Sequence, residues 1–246
     1  MSTQLIYKTV KSVIKDRFGP KFPPSIAHLD IGAGQGELIQ LLGLDLPVHS
    51  FACDFHIERF GLKSVPIAQV NLNSGRLPYE DETFDLVTCS EVIEHVENYR
   101  AVLREVNRVL KRNGLLVLTT PNVLNMSSRI RYLTAGFANL FGPLPVKNNE
   151  LYTTGGHIMP IPFFYLAHAL LDAEFKDIRL TVDKFQKTSI FLLPLGLPFL
   201  LLGWIRFLSR ERKRYRTITP ENEAYVLAHR SKKILFGRTI VVSVVK

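Results

Sequence analysis

Leu29-Asp30-Ile31-Gly32-Ala33-Gly34-Gln35-Gly36 closes a strand-like run that begins at Ile26 and leads into a helical pattern starting near Glu37. Glycines at alternate positions let the backbone turn sharply and approach a ligand with no Cβ in the way. The turn leaves backbone N–H groups free at the start of the helix, which suits the carboxylate end of an amino-acid-like ligand. Twenty-two residues after Gly32, Asp54 closes a second strand-like run, where its carboxylate can accept hydrogen bonds from two ribose hydroxyls. That spacing suits an adenosine. A dinucleotide fingerprint, GxGxxG, would require glycine at position 37. Glu37 stands there instead, and its charge would repel a pyrophosphate, which argues against a nicotinamide-dependent oxidoreductase.

Outward from this turn, strand-like runs alternate with helical patterns at Ile26–Ile31, His49–Cys53, Ile67–Leu72, Phe84–Cys89 and Gly114–Thr120. Such alternation implies a doubly wound α/β fold on a mostly parallel sheet. Val96, Tyr99, Val102, Leu103, Val106, Val109 and Leu110 recur with helical period, and Asn113-Gly114 is expected to end that crossover helix. Pro162 suits the first turn of a later helix carrying Phe163, Leu166, Ala167, Leu170 and Leu171, followed by a sixth strand at about Lys176–Phe185. Thr239–Lys246 reads as a seventh strand, antiparallel and beside the sixth. Leu5, Ile6, Val10, Val13, Ile14 and Phe18 predict an amphipathic N-terminal helix, and its interspersed Lys and Arg exclude a secretory signal. With 246 residues and 46% hydrophobic content, one domain over residues 1–246 is expected. Cys53 and Cys89 form no CxxC pair, so both are read as buried thiols in a reducing compartment, and no metal site is expected.

As a set, residues 29–121 resemble the class I S-adenosylmethionine (SAM)-dependent methyltransferases, particularly the group related to the ubiquinone-biosynthesis O-methyltransferases. Beyond the glycine turn and Asp54, the likeness rests on Asn71-Leu72-Asn73 leading to Leu77-Pro78-Tyr79, on Phe84-Asp85-Leu86-Val87, and on Glu91-Val92-Ile93-Glu94-His95-Val96-Glu97-Asn98. It continues through Arg108-Val109-Leu110-Lys111 and Thr120-Pro121-Asn122. The resemblance implies that Asp30, Gly32, Ala33, Gly34 and Gly36 hold the methionine end of SAM, that Asp54 holds the ribose, and that Asn71 and Leu72 flank the adenine. Many relatives carry aspartate where Asn71 stands. Ser90 and Glu91 would form the wall beneath the sulfonium, and Asp85 would tie the start of its strand. The reaction implied is direct displacement, in which an acceptor atom attacks the sulfonium methyl while the enzyme supplies alignment and exclusion of water. For a hydroxyl acceptor a general base helps, and His95 and then His157 are the candidates, because imidazole titrates near neutrality. Each could equally serve packing or hydrogen bonding.

Two stretches exceed what the alternating core requires, 122–157 and 186–237. The first follows the fifth strand, so it is expected to close over the acceptor as a lid. The second holds Thr188–Ile205, eighteen residues without a charge, interrupted by Pro194, Gly196, Pro198 and Gly203. If the last strand returns to the sheet, a single membrane crossing is excluded, and a shallow broken hairpin or interfacial helix is expected instead. The formal charge of +9 concentrates here, with Arg206, Arg210, Arg212, Lys213, Arg214 and Arg216 against one acid, Glu211. An anionic membrane surface facing 188–216 fits this pairing of apolar and basic residues, whereas nucleic acid does not, since interleaved aromatics are missing. An apolar segment buried in the domain or in a dimer contact is the alternative. The expected location is cytoplasmic, peripheral on the cytoplasmic face of the membrane. Thr120-Pro121-Asn122 followed by Asn125 and Arg129 resembles methyltransferases of surface polysaccharide assembly, which makes a sugar hydroxyl on a lipid-linked or cell-surface glycan the leading acceptor. An isoprenoid quinone or other lipid phenol is the alternative, and a noncatalytic SAM-binding module would keep the fold without turnover.

Overall fold

The apolar runs pair as parallel strands, and those at the centre of the sheet are buried on both faces. β1 (Ile26–Ile31), β2 (Val48–Asp54), β3 (Ile67–Gln69), β4 (Phe84–Ser90) and β5 (Leu110–Pro121) are mutually parallel, while β7 (Thr239–Val245) lies antiparallel between β5 and β6 (Lys176–Val182). The resulting seven-stranded order is β3-β2-β1-β4-β5-β7-β6. This is the computed structural model of the chain, and it describes residues 2–19, 23–73, 75–144 and 156–246. On one face, Ile6, Val10 and Ile14 of α1 (Ser2–Phe18) and Leu38 and Leu42 of α2 (Glu37–Gly43) cover Ile26, Leu86, Val117 and Val241. On the other, Val102, Leu103 and Val106 of α3 (Tyr99–Val109) and Leu166 and Leu170 of α5 (Phe163–Asp172) cover Leu29, Val87, Leu116 and Val242. Each fully buried aliphatic of this kind contributes about 1.5–3 kcal/mol over an exposed one. Asp85 ties the start of β4 to its two neighbours, accepting from Ala27 N of β1 at 2.9 Å and from Lys111 Nζ of β5 at 2.9 Å.

Several boundaries differ from the sequence reading. Helix α3 stops at Val109, and β5 starts at Leu110 instead of Gly114, because Leu110 is already extended and pairs with Phe84. Asn113-Gly114 therefore makes an irregularity within the strand, with Asn113 at φ 62°. β3 ends at Gln69 because Asn71 Oδ1 accepts from Asn73 N at 3.0 Å and turns the chain. β6 ends at Val182, leaving Phe185 a single bridge to Gly237.

The apolar stretch is helix, with no broken hairpin. A short α6 (Lys187–Phe191) precedes α7 (Leu193–Ser209), which continues as a wider π-turn over Arg210–Tyr215. Pro194 falls in the first turn of α7, where no N–H is needed, and Pro198 removes one helical donor at an exposed position that water can satisfy. None of α7 is buried. It lies along the domain, with Gly196 against the Met126 side chain of α4 (Met126–Ala135) and Trp204 under the Arg230 guanidinium at 5.8 Å. After it, α8 (Glu223–Ala228) and α9 (Lys232–Phe236) lead back into β7.

Candidate active site

The glycine turn sits at the carboxyl end of β1, and its geometry explains its composition. Gly32, Gly34 and Gly36 all have positive φ, at 70°, 54° and 87°. A methyl group at Gly32 would collide with Val92 Cγ2, whereas one at Gly34 would meet nothing within 4 Å. The turn is tied to β2 by Gly32 N to Cys53 O at 2.8 Å and by Gly34 N to Asp54 Oδ2 at 2.8 Å. Asp54 Oδ1 also accepts from His56 N at 2.9 Å. A carboxylate offers about four acceptor sites, so Asp54 keeps capacity for further donors.

A cavity of about 240 Å³ opens beside this turn, with Gly34, Asp54, Asn71, Leu72, Glu91 and His95 in its wall. Gly32 lines it too, as do Phe55, His56, Arg59 and Val70, which the sequence reading did not single out. Of the other expected cofactor residues, Asp30, Ala33, Gly36 and Ser90 are not in that wall. Asp30 is 2% exposed behind the turn, Ala33 packs with Ile39 and Ala52, and Gly36 lies against Leu62 and Phe60. The Ser90 hydroxyl is buried without a hydrogen-bond partner. The cavity combines a cradle open at Gly34, an acid with spare acceptor capacity, and apolar Val70 and Leu72. These features fit the amino-acid, ribose and base parts of SAM.

Beyond Glu91, the chain makes a tight turn at Ile93–His95 that carries the two sequence candidates' neighbourhood. His95 Nδ1 donates to Gly156 O at 2.8 Å, because a carbonyl can only accept, so the neutral ring presents Nε2 as its lone pair. Ile158 N and Met159 N donate to Glu94 O at 2.9 and 3.0 Å, clamping the His157 segment against the turn. The rings of His95 and His157 meet edge to face at 4.7 Å, and His157 also lies 5.2 Å from Phe141. Burial lowers the pKa of both histidines, which favours the neutral ring in each. A third residue, Glu94, stands next to His95 in the sequence but carries no assigned role there, because only folding sets it against the His157 segment. It is fully buried, neither oxygen has a hydrogen-bond partner, and burial followed by the Glu91 charge raises its pKa well above the carboxylate range. Thr120 Oγ1 lies near it without closing a bond of good geometry. Ligand atoms of Glu94, His95 and His157 fall within 4.8 Å of one another, a donor set whose chemistry suits a divalent cation. Glu91 accepts from Thr119 Oγ1 at 2.9 Å, and burial pushes its carboxyl up to about 7. Its own φ of 56° is strained for a non-glycine residue at the edge of the cavity.

A methyltransferase-domain family model matches residues 5–180. The chain belongs to that family. Among curated relatives, an uncharacterised protein of Methanocaldococcus jannaschii is 32% identical over 155 residues, covering 60% of this chain and 62% of that protein. An uncharacterised methyltransferase of Schizosaccharomyces pombe is 29% identical, covering 56% and 64% respectively. The demethylmenaquinone methyltransferase of Thermotoga maritima is 33% identical over 117 residues, covering 42% of this chain and 48% of that enzyme. The chain thus spans less than two thirds of the length of each. Among solved structures, a SAM-dependent methyltransferase from Archaeoglobus fulgidus superposes with a TM-score of 0.58 at 18% identity, covering 98% of this chain and 94% of that one. Phosphoethanolamine N-methyltransferase 2 of Haemonchus contortus, solved with SAM, gives 0.55 at 15% identity, covering 100% and 57%. These likenesses carry the fold.

The lid expected over 122–157 is described only to Leu144 and again from Gly156, so Thr154-Gly155 lies outside the described residues. In the described part, the residues that suggested a polysaccharide link act as internal clamps. Asn122 Nδ2 donates to Ile234 O and Gly237 O at 2.8 Å, Asn125 caps α4 by accepting from Ser128 N at 2.9 Å, and Arg129 Nε donates to Leu124 O at 2.6 Å. They join the two insertions to each other, and none lines the cavity.

Proposed function

We propose that the chain is a SAM-dependent methyltransferase acting on an oxygen of an apolar, lipid-borne acceptor at a membrane surface. SAM supplies an electrophilic methyl on a sulfonium, and its residue set here is Gly32 and Gly34 for the amino-acid end, Asp54 for the ribose, and Asn71 and Leu72 for the base. The observation that carries the acceptor reading is a second cavity of about 360 Å³ lined by Tyr132, Phe137, Phe141, Pro143, Leu144 and His157. It meets the cofactor cavity across the His95–His157 ring contact. Among the described residues its lining holds no carboxylate and no side-chain amide, the groups that usually orient sugar hydroxyls. A lipid phenol or quinone therefore has better support than the glycan hydroxyl favoured by the sequence, and the likeness to demethylmenaquinone methyltransferases points the same way.

In this reading His95 Nε2 receives the acceptor's proton as the new C–O bond forms, and His157 and Phe141 exclude water from the approach. A second reading of the same cluster is favoured by the unpartnered Glu94 carboxylate: a divalent cation held by Glu94, His95 and His157 would bind and acidify the acceptor hydroxyl. Membrane contact is assigned to α7, whose Leu195, Phe199, Leu202 and Ile205 are 66%, 77%, 71% and 66% exposed. Leu193–Tyr215 is long and apolar enough to cross a bilayer, but its side contacts with Met126 and Arg230 favour a helix lying in the interface, on the cytoplasmic face. The test is transfer of labelled methyl from SAM into fractionated membrane extract. Label in the lipid-soluble fraction, lost in His95→Ala, is expected; label confined to the aqueous glycan fraction would overturn the acceptor assignment.

A further inference from the structure

Beneath the glycine turn, four buried polar side chains on three neighbouring strands come together on one face of the sheet. Asp30, His28, Thr88 and Ser50 are 2%, 0%, 0% and 8% exposed. Register brings them together, since His28 lies opposite Ser50 on β2 and Asp30 lies opposite Thr88 on β4. Thr88 Oγ1 donates to Asp30 Oδ1 at 2.6 Å. A hydroxyl has one hydrogen, so the 2.8 Å contact between Thr88 Oγ1 and His28 Nε2 must run from the ring N–H to the oxygen. His28 Nδ1 is then the acceptor of the Ser50 hydroxyl at 2.9 Å. Every donor in the chain points one way, from Ser50 through His28 and Thr88 to Asp30. Burial holds His28 neutral, with its pKa down to about 3, which keeps this tautomeric order in place at any physiological pH.

A run of this length is costly to bury unless each member is satisfied. Every member is, except that no cation stands beside Asp30 among the described residues. The titratable groups facing it are Tyr7 of α1, Cys53 and Asp54 of β2 and Cys89 of β4, with Glu37 and Glu91 beyond Tyr7, and all are neutral or acidic. The carboxyl stands at the end of β1 directly behind the turn proposed to hold the amino-acid end of SAM.

We propose that Ser50, His28 and Thr88 are positioning residues, a one-way hydrogen-bond relay that fixes the Asp30 carboxylate as the counter-charge for the ammonium group of SAM. The inference rests on the SAM-binding reading of the cavity but not on any choice of acceptor. Removing the Thr88 hydroxyl takes away a hydrogen bond made to the charged form of Asp30, so the carboxylate ionises only at higher pH. A merely structural threonine would not move that profile.

The experiment is calorimetric titration of S-adenosylhomocysteine, which carries the same ammonium, into wild type, Thr88→Val, Thr88→Ser and Ser50→Ala between pH about 5.5 and about 8.5. Wild-type affinity is expected to rise with pH and level off near pH 7. In Thr88→Val the levelling-off moves up by about one pH unit or more and affinity at pH 7 falls about tenfold, because a hydrogen bond to a charged group is at stake. Thr88→Ser restores the wild-type profile, and Ser50→Ala, at the far end, shifts it in the same direction by less. Ser50→Ala also serves should Thr88→Val fail to fold. A pH profile unmoved in the variants that fold overturns the relay, whereas wild type that binds no ligand at any pH overturns the SAM reading and the relay with it.

Discussion

Replacing Gly32 and Gly34 separately by alanine divides what the turn does for the fold from what it does for a ligand. Both have positive φ, at 70° and 54°, so each alanine incurs about 1–2 kcal/mol for a left-handed backbone. At Gly32 the new methyl also collides with Val92 Cγ2, and overpacking of this kind adds about 1–3 kcal/mol. Gly32→Ala is therefore expected to lose about 2–5 kcal/mol, or about 4–20 °C in Tm for a chain of this size. At Gly34 nothing stands within 4 Å, so stability falls by the backbone cost alone, but the methyl projects into the space read as the cofactor cradle. Affinity for S-adenosylhomocysteine in Gly34→Ala should drop about tenfold to a hundredfold, the equivalent of about 1–3 kcal/mol of steric conflict. The assay pairs urea unfolding with calorimetry on the same samples. Val92→Ala added to Gly32→Ala removes the colliding methyl and should recover most of the overpacking cost, a coupling that an additive pair would not show. Two results would refute the reasoning: Gly34→Ala binding as tightly as wild type, or Val92→Ala leaving Gly32→Ala no more stable.

The remaining expectations concern charge, cations and surface. Burial raises the Asp30 pKa from 3.8 to about 7, so the folded chain holds a proton that the unfolded chain releases. His28 and His229, whose pKa values burial lowers to about 3 and about 4, act with the opposite sign over the same window, so the Asp30 contribution is read by difference: the stability of wild type relative to Asp30→Asn in thermal melts should fall as pH rises from about 4 to about 7, by a few kcal/mol at most, and a difference independent of pH would contradict it. If a cation occupies the Glu94, His95 and His157 cluster, titration with manganese or zinc should give binding heat that Glu94→Gln reduces about tenfold or more, and a chelator-insensitive enzyme with no such heat would leave His95 as base. Phe199→Glu with Leu202→Glu should abolish sedimentation with anionic vesicles while leaving the thermal melt within about 1 kcal/mol, since surface changes rarely cost more.

The sheet was legible because its signals are local. Ile26–Ile31 and Phe84–Ser90 are short runs, largely apolar and next to turn residues, whose buried positions lie on both faces of the sheet. Boundaries were less legible where a tertiary partner overrides a local preference: Asn113-Gly114 reads as a helix stop, yet pairing of Leu110 with Phe84 starts the strand before it. Within the site, Asp54 and the glycines could be read because their chemistry follows from spacing along one βα unit. Glu94 could not, since its meaning depends on segment 156–159 returning from a distant part of the chain to bind its carbonyl. The His28–Thr88–Asp30 relay was invisible for the same reason: its order comes from register between strands separated by 58 and 60 residues of sequence.

Helix α7 poses the reverse problem, because its composition is obvious in the sequence and its placement is not. Residues Leu193, Gly196, Leu200, Trp204 and Leu208 are the half-buried ones, one stripe at helical spacing turned toward the domain. A water-facing helix would carry charges on the opposite stripe, yet Leu195, Phe199, Leu202 and Ile205 stand there, 66%, 77%, 71% and 66% exposed. Side chains of that size left in water forgo about 1.5–3 kcal/mol each, so four of them are a substantial driving force toward any apolar phase. The charges come only after the apolar stripe ends, at Arg206, Arg210, Arg212, Lys213, Arg214 and Arg216, of which Arg212 pairs with Glu223. For a helix lying in the interface, as proposed above, the apolar stripe would face the acyl chains and the basic segment that follows it would meet anionic headgroups. Since α7 rests on α4, and α4 contributes Tyr132 to the cavity proposed for the acceptor, a monolayer meeting that stripe would, on the reading proposed above, lie near that cavity.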